Sequence, residues 1–131
     1  MRNRENLTTL VVDDDEFVLG SLPSFLIRVP GVNVVGTAKN GYEALAMIKR
    51  NQPKMVVMDV RMPRMDGIEA TGIIRKQFPN VRVVLTSGLD DPQVRMECLG
   101  CGAHGFMAKL EVSREFPILV EKLFGNDFLA A

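Results

Sequence analysis

The chain has 131 residues, with 16 Lys and Arg against 16 Asp and Glu, so its formal net charge is zero. One domain of that length can bury about two-thirds of its unfolded surface, so a core needs no disulfide framework or structural metal. A 47% hydrophobic share with 24% charged residues argues against disorder, and balanced charge removes the basic field that non-specific nucleic-acid or anionic-membrane binding wants. No apolar run approaches the ~20 residues of a membrane span. The charged start Met1-Arg2-Asn3-Arg4-Glu5 leads into no signal-peptide core. The expectation is one soluble, cytoplasmic domain.

Short β-branched runs alternate with helical patterns. Leu10-Val11-Val12 reads as a buried strand that stops in Asp13-Asp14-Asp15-Glu16. A helical stripe follows at Val18, Leu22, Phe25, Leu26 and Val29, with Pro23 predicting a kinked or loose start and Pro30-Gly31 the end. Val32–Ala38 is a second strand, and Asn40-Gly41-Tyr42-Glu43 a capping box opening a helix with Leu45 and Ile48 inward. After Gln52-Pro53, Met55–Met58 forms a third strand running into Asp59. The loop Val60–Met65 ends at Asp66-Gly67-Ile68-Glu69, a second helix start, with Ile68, Thr71, Ile74 and Phe78 on one face. Val81–Leu85 is a fourth strand ending at Thr86-Ser87. Asp90-Asp91-Pro92 opens a helix that closes near Gly100–Gly102. Gly105–Ala108 is a short fifth strand ending at Lys109. Val112, Phe116, Leu119, Val120 and Leu123 form a terminal helix, with Pro117 tolerable only near its first turn and Gly125-Asn126 as the stop.

Five strand–helix units with nearly continuous apolar strands imply an α/β fold: a parallel sheet with helices on both faces. Polar residues just after the strands of such a sheet collect at its carboxyl edge, where ligands bind. Those residues are Asp13 and Asp14, Asp59, Thr86 and Ser87, and Lys109. Three packed carboxylates repel until one takes a proton, unless an oxygen-seeking cation such as Mg²⁺ sits among them. Screened in that way, an aspartate can attack phosphorus and become an aspartyl phosphate. A lysine and a hydroxyl then suit the phosphoryl oxygens as neutralising charge and hydrogen-bond donor.

The segments Leu10–Asp14, Val57–Gly67, Val83–Ser87 and Gly102–Lys109 closely resemble the receiver domain of two-component response regulators, the CheY-like superfamily. The stretch Met58-Asp59-Val60-Arg61-Met62-Pro63-Arg64-Met65-Asp66-Gly67 is the most specific of them. The resemblance implies a flavodoxin-like five-stranded parallel sheet in the order 2-1-3-4-5. It implies Asp59 as phosphoacceptor, fed by a sensor histidine kinase or phosphotransfer protein. Mg²⁺ would be held by Asp13, Asp14, Asp59 and the backbone carbonyl of Arg61. Thr86 would be the switch hydroxyl and Lys109 the phosphate partner. Phe106 would be an aromatic switch moving from solvent to interior as the surface of the fourth helix, fifth strand and last helix changes. A homodimer on phosphorylation is a further expectation, whereas direct nucleic-acid binding and catalysis beyond its own phosphoryl chemistry are not expected. The core would span about 7–124 of a single 1–131 domain with no output domain, standing alone or cut from a longer regulator.

Leu110 departs from the proline usual after the lysine, so a strained peptide or a different loop follows. Asp15 reads as a helix cap. The rival is a haloacid-dehalogenase-type phosphatase on Asp13-Asp14-Asp15, with Asp13 as nucleophile and Asp15 as acid/base, but it leaves Asp59 and its Met-Pro loop unexplained. Cys98-Leu99-Gly100-Cys101 invites a redox reading, yet it falls at a helix end with Val94, Cys98 and Cys101 on one face, which favours reduced core thiols. His104, between glycine-rich turns, reads as a surface residue and not a ligand.

Overall fold

The computed structural model describes residues 6–88 and 91–129, with backbone alone for 126–129. The signal-peptide question at residues 1–5 and the role of Asp90 as part of a helix start lie outside the described residues. The strands are β1 (Leu7–Val12), β2 (Val32–Ala38), β3 (Met55–Asp59), β4 (Arg82–Ser87) and β5 (Gly105–Ala108). The helices are α1 (Glu16–Leu26), α2 (Gly41–Asn51), α3 (Gly67–Gln77), α4 (Pro92–Gly100) and α5 (Val112–Leu129). The strands form one parallel sheet in the order β2-β1-β3-β4-β5, the order the resemblance implied.

The pleat sends alternate strand residues to opposite faces, and this splits the core in two. Leu10, Val12, Val56, Met58, Val83 and Leu85 pack with Ala44, Ile48, Ala70, Ile74, Val94 and Cys98 of α2, α3 and α4. Leu7, Val11, Met55, Val57, Val84 and Met107 pack with Leu22, Leu26, Phe116 and Val120 of α1 and α5. Strands apolar on both sides are therefore what this sandwich requires.

Local chemistry starts four of the helices. Asp15 accepts the Phe17 N–H at 2.9 Å, and Asp91 accepts the Gln93 N–H at 2.8 Å with Pro92 as the first helical residue. Asp66 and Glu69 form the full reciprocal box. Asn40 caps α2 through the Glu43 N–H, but Glu43 reaches back to the N–H of Lys39 instead of Asn40, so only half of that expected box forms.

Two of the three expectations about proline and glycine need correction. One helix runs through Pro23, its eighth residue, with the Ser21 and Ser24 hydroxyls bonded to carbonyls of the same turns. Pro117 lies a turn deeper in α5 than expected; the carbonyl it leaves unbonded belongs to exposed Ser113, within reach of water. Gly125-Asn126 does not stop α5, because Gly125 does not take the left-handed conformation that ends a helix. After Lys109 the chain has the different loop: no cis peptide occurs among the described residues, and Lys109–Glu111 forms a 3-10 turn.

His104 is also more than a surface residue. Its backbone N–H donates to the Val83 carbonyl at 2.8 Å, and its Nδ1 accepts the Val83 N–H at 3.0 Å. The ring thus extends the β4–β5 ladder by one rung. Partial burial first, then the charges of Arg75 and Arg82, hold its pKa below the ordinary value. An imidazolium would turn Nδ1 into a donor facing a donor. The unfolded chain therefore binds this proton more readily, so the stabilisation is complete above about pH 6.5 and is lost as pH falls through the lower folded pKa. Urea midpoints between pH 7.5 and 5 should fall more steeply for wild type than for His104→Asn, which accepts the Val83 N–H but takes no proton. Equal slopes would remove His104 from the ladder.

Candidate functional site

Strand register assembles the site. Val12 pairs with Met58, so Asp13 emerges beside Asp59; Asp59 pairs with Thr86, and Ser87 with Ala108, which precedes Lys109. All the strand-end residues singled out in the sequence meet at this carboxyl edge. Asp13 is 1% exposed, Asp59 5% and Thr86 1%. The Lys109 ammonium lies 2.7 Å from Asp13 Oδ2 and 3.3 Å from Asp59 Oδ1. Asp13 Oδ1 accepts the Asp15 N–H at 2.9 Å, which turns the acidic loop about Asp13.

The approach of α3 fixes the back of the site. Gly67 packs so closely that a Cβ there would land on the Asp59 carbonyl oxygen and within 3.0 Å of Val60 Cα. Its N–H donates to the Val60 carbonyl at 2.8 Å, while the Val60 N–H donates to the Thr86 carbonyl at 2.9 Å. In the same loop Arg64 holds φ of 70°, a conformation that favours glycine.

Burial first, then the charge of Asp13, pushes the Asp59 carboxyl up to about 6. Lys109 and the Arg61 backbone N–H oppose the rise, so Asp59 remains mostly ionised at neutral pH. For Lys109, desolvation acts to lower the pKa, but contact with Asp13 and the charges of Asp59 and Asp13 outweigh it and hold the ammonium above its ordinary value.

Carboxylate oxygens of Asp13, Asp14 and Asp59 lie within 4.8 Å of one another. Buried Asp13 Oδ2 has no hydrogen-bond donor aligned on it, although the Lys109 ammonium is near. Hard oxygen donors with spare acceptor capacity, one of them exposed, fit a divalent cation such as Mg²⁺.

Asp15 is exposed and caps α1 through Oδ1, the role its sequence position suggested. Cys98 is buried, with its thiol pushed up to about 11 by burial first and then by Cys101 and Glu97. A thiol so protonated is a core group, as the helix-end position suggested. The Phe106 ring lies inward, 5% exposed, with the Arg95 guanidinium 4.7 Å from its centroid. Two exposed apolar residues flank the site without a motif to mark them as part of it. Phe17 and Leu110, 81% and 91% exposed, share a groove of about 310 Å³ with Lys109.

Residues 9–120 match the family model described as response regulator receiver domain, and the chain belongs to that family. It is 32% identical over 122 residues to the response regulator protein VraR of Staphylococcus saprophyticus, covering 92% of this chain and 58% of VraR. The signal receiver domain of NarL from Mycobacterium tuberculosis superposes with a TM-score of 0.82 at 32% identity, over 92% of this chain and 97% of that one. CheY of Borrelia burgdorferi, in its complex with CheX, BeF3 and Mg, gives a TM-score of 0.79 at 31% identity, over 90% and 89% of the two chains. The chain thus spans less than two-thirds of the length of VraR. No described helix is long and apolar enough to cross a membrane.

Proposed function

We propose that this receiver takes a phosphoryl group on Asp59 from a phosphohistidine of a sensor kinase or phosphotransfer protein, and that the charge so gained resets the face formed by α4, β5 and α5. The observation that carries this reading is the convergence of Asp13, Asp14 and Asp59, with Lys109 bridging Asp13 and Asp59. A carboxylate oxygen of Asp59 forms the new P–O bond as the P–N bond of the donor breaks, and the imidazole leaves with that electron pair. Asp13, Asp14, Asp59 and the Arg61 carbonyl would hold Mg²⁺, which supplies charge screening between nucleophile and phosphoryl oxygens. Lys109 neutralises the phosphoryl group from one side. Thr86, next to Asp59 in register, supplies the hydroxyl that closes on it.

The new group adds about −1.5 to −2 of charge and three acceptor oxygens. Its pull on Thr86 travels to β5, where Phe106 pairs with Leu85, and steadies the inward ring. Phe17 and Leu110 give a protein donor apolar surface beside Lys109. The CheY complex with BeF3 and Mg supports the chemistry by similarity.

Incubation with acetyl phosphate and Mg²⁺, followed by intact mass and peptide mapping, tests the reading. One acid-stable, base-labile phosphoryl group on Asp59 is expected, absent in Asp59→Ala and without Mg²⁺. Labelling of Asp13 with donor turnover, or no labelling, would overturn it.

A further inference from the structure

Lys109 works only if its ammonium stays between two carboxylates, and the backbone that carries it needs an anchor. Ala108, just before it, is the cap residue of the 3-10 turn Lys109–Glu111 and has no side chain with which to cap. β5 is the edge strand, so β4 satisfies only one side of its backbone. On the open side the Ala108 N–H donates to Glu115 Oε1 at 3.2 Å, across seven residues. The other carboxylate oxygen of Glu115 lies 3.5 Å from Arg114, whose Nε reaches Glu111 Oε1 of the turn at 2.9 Å. Glu115 is mostly buried, its side chain 20% exposed. A first-turn acid on α5 would favour the helix start from any exposed position. This one is instead aimed backward at the strand end, and ties strand, turn and helix together around Lys109.

We infer that Glu115 is a positioning residue for phosphoryl transfer, holding the loop after β5 so that Lys109 rests against Asp13 and Asp59. The inference rests on the phosphoacceptor reading of the site. Glu115 touches no reacting atom; its effect passes through the backbone of Ala108. The acceptor, not the charge, is what the Ala108 N–H needs, so glutamine replaces glutamate and alanine does not.

The test measures Asp59 phosphorylation by acetyl phosphate in the Mg²⁺-containing protein, separating the rate at saturating donor from the half-saturating concentration. Glu115→Ala should lower the saturated rate about fivefold, the scale of one hydrogen bond, with half-saturation unchanged. Glu115→Gln should stay within about twofold of wild type. In a Lys109→Ala background, Glu115→Ala should change nothing further, because the two act through one group. A wild-type rate for Glu115→Ala, or an equal fall in the Lys109→Ala background, overturns the inference. Glu115→Asp, one methylene short, serves if the alanine variant does not fold.

NMR of the Lys109 side chain decides the point independently of phosphorylation. Its signal should move in Glu115→Ala and remain in Glu115→Gln, and an unmoved signal in Glu115→Ala overturns the inference. If wild type accepts no phosphoryl group, the phosphoacceptor reading fails, and this signal alone judges the placement of Lys109.

Discussion

Gly67→Ala should destabilise the protein by about 2–3 kcal/mol, the scale of overpacking in a filled interior. The added Cβ meets the Asp59 carbonyl oxygen, the Asp59 carbonyl carbon at 3.1 Å and Val60 Cα at 3.0 Å, all of them backbone. A flexible side chain could swing aside; these atoms cannot. The helix cannot retreat cheaply either. Asp66 and Glu69 fix its first turn, the Thr71 hydroxyl bonds the Gly67 carbonyl at 2.7 Å, and Ala70 and Ile74 are fully buried.

The control lies in the same helix. Gly72 has nothing within 4 Å of its Cβ position, so Gly72→Ala gains helix propensity and should stabilise by up to about 1 kcal/mol. Urea unfolding of the two variants checks the opposite signs. Gly67→Ala should also slow phosphoryl uptake, since the forced shift falls on Asp59 itself. A midpoint unchanged from wild type would mean that α3 does not press on the phosphoacceptor loop.

How far the site could be read from the sequence follows from the range of the interactions. Asp13, Asp59, Thr86 and Lys109 were legible because each follows an apolar strand run, and strand ends meet at one edge whatever the loops do. The parallel sheet was legible from alternation, but the order β2-β1-β3-β4-β5 came only with the resemblance, since alternation carries no neighbour information. Glu115 was not legible as an anchor, because a first-turn acid and a carboxylate aimed seven residues back are the same letter. His104 was misread for the same reason: its partner is the Val83 N–H, 21 residues earlier in the chain. The inward placement of Phe106 was not legible either, because pairing with Leu85 and closure by Arg95 depend on packing between β5 and α4.

Replacing Lys109 tests what holds the acidic cluster together. Lys109→Met, studied without divalent cation, should cost about 2–3 kcal/mol at neutral pH. Loss of one partner from a fully buried ion pair costs about 3–5 kcal/mol, and the partial exposure of Lys109 places it at or below the low end. The penalty comes from what remains. Asp13 and Asp59 would be buried within a few ångströms of each other, with no cation between them. Asp59 already sits near 6 with the ammonium present, because burial and Asp13 outweigh the attraction of Lys109.

Two further measurements separate electrostatics from lost packing. Asp13→Asn combined with Lys109→Met should recover most of the stability, since one charge of the repelling pair is gone. Mg²⁺ should raise the midpoint of Lys109→Met more than that of wild type, because the single variant has more unpaired negative charge to screen. If Lys109→Met leaves the unfolding free energy within about 0.5 kcal/mol of wild type, Lys109 is an ordinary surface side chain. Stability and chemistry then make opposite demands on this edge of the sheet. A neutral cluster would fold more firmly, but it would leave no ionised Asp59 to attack phosphorus and no ammonium to receive the phosphoryl oxygens.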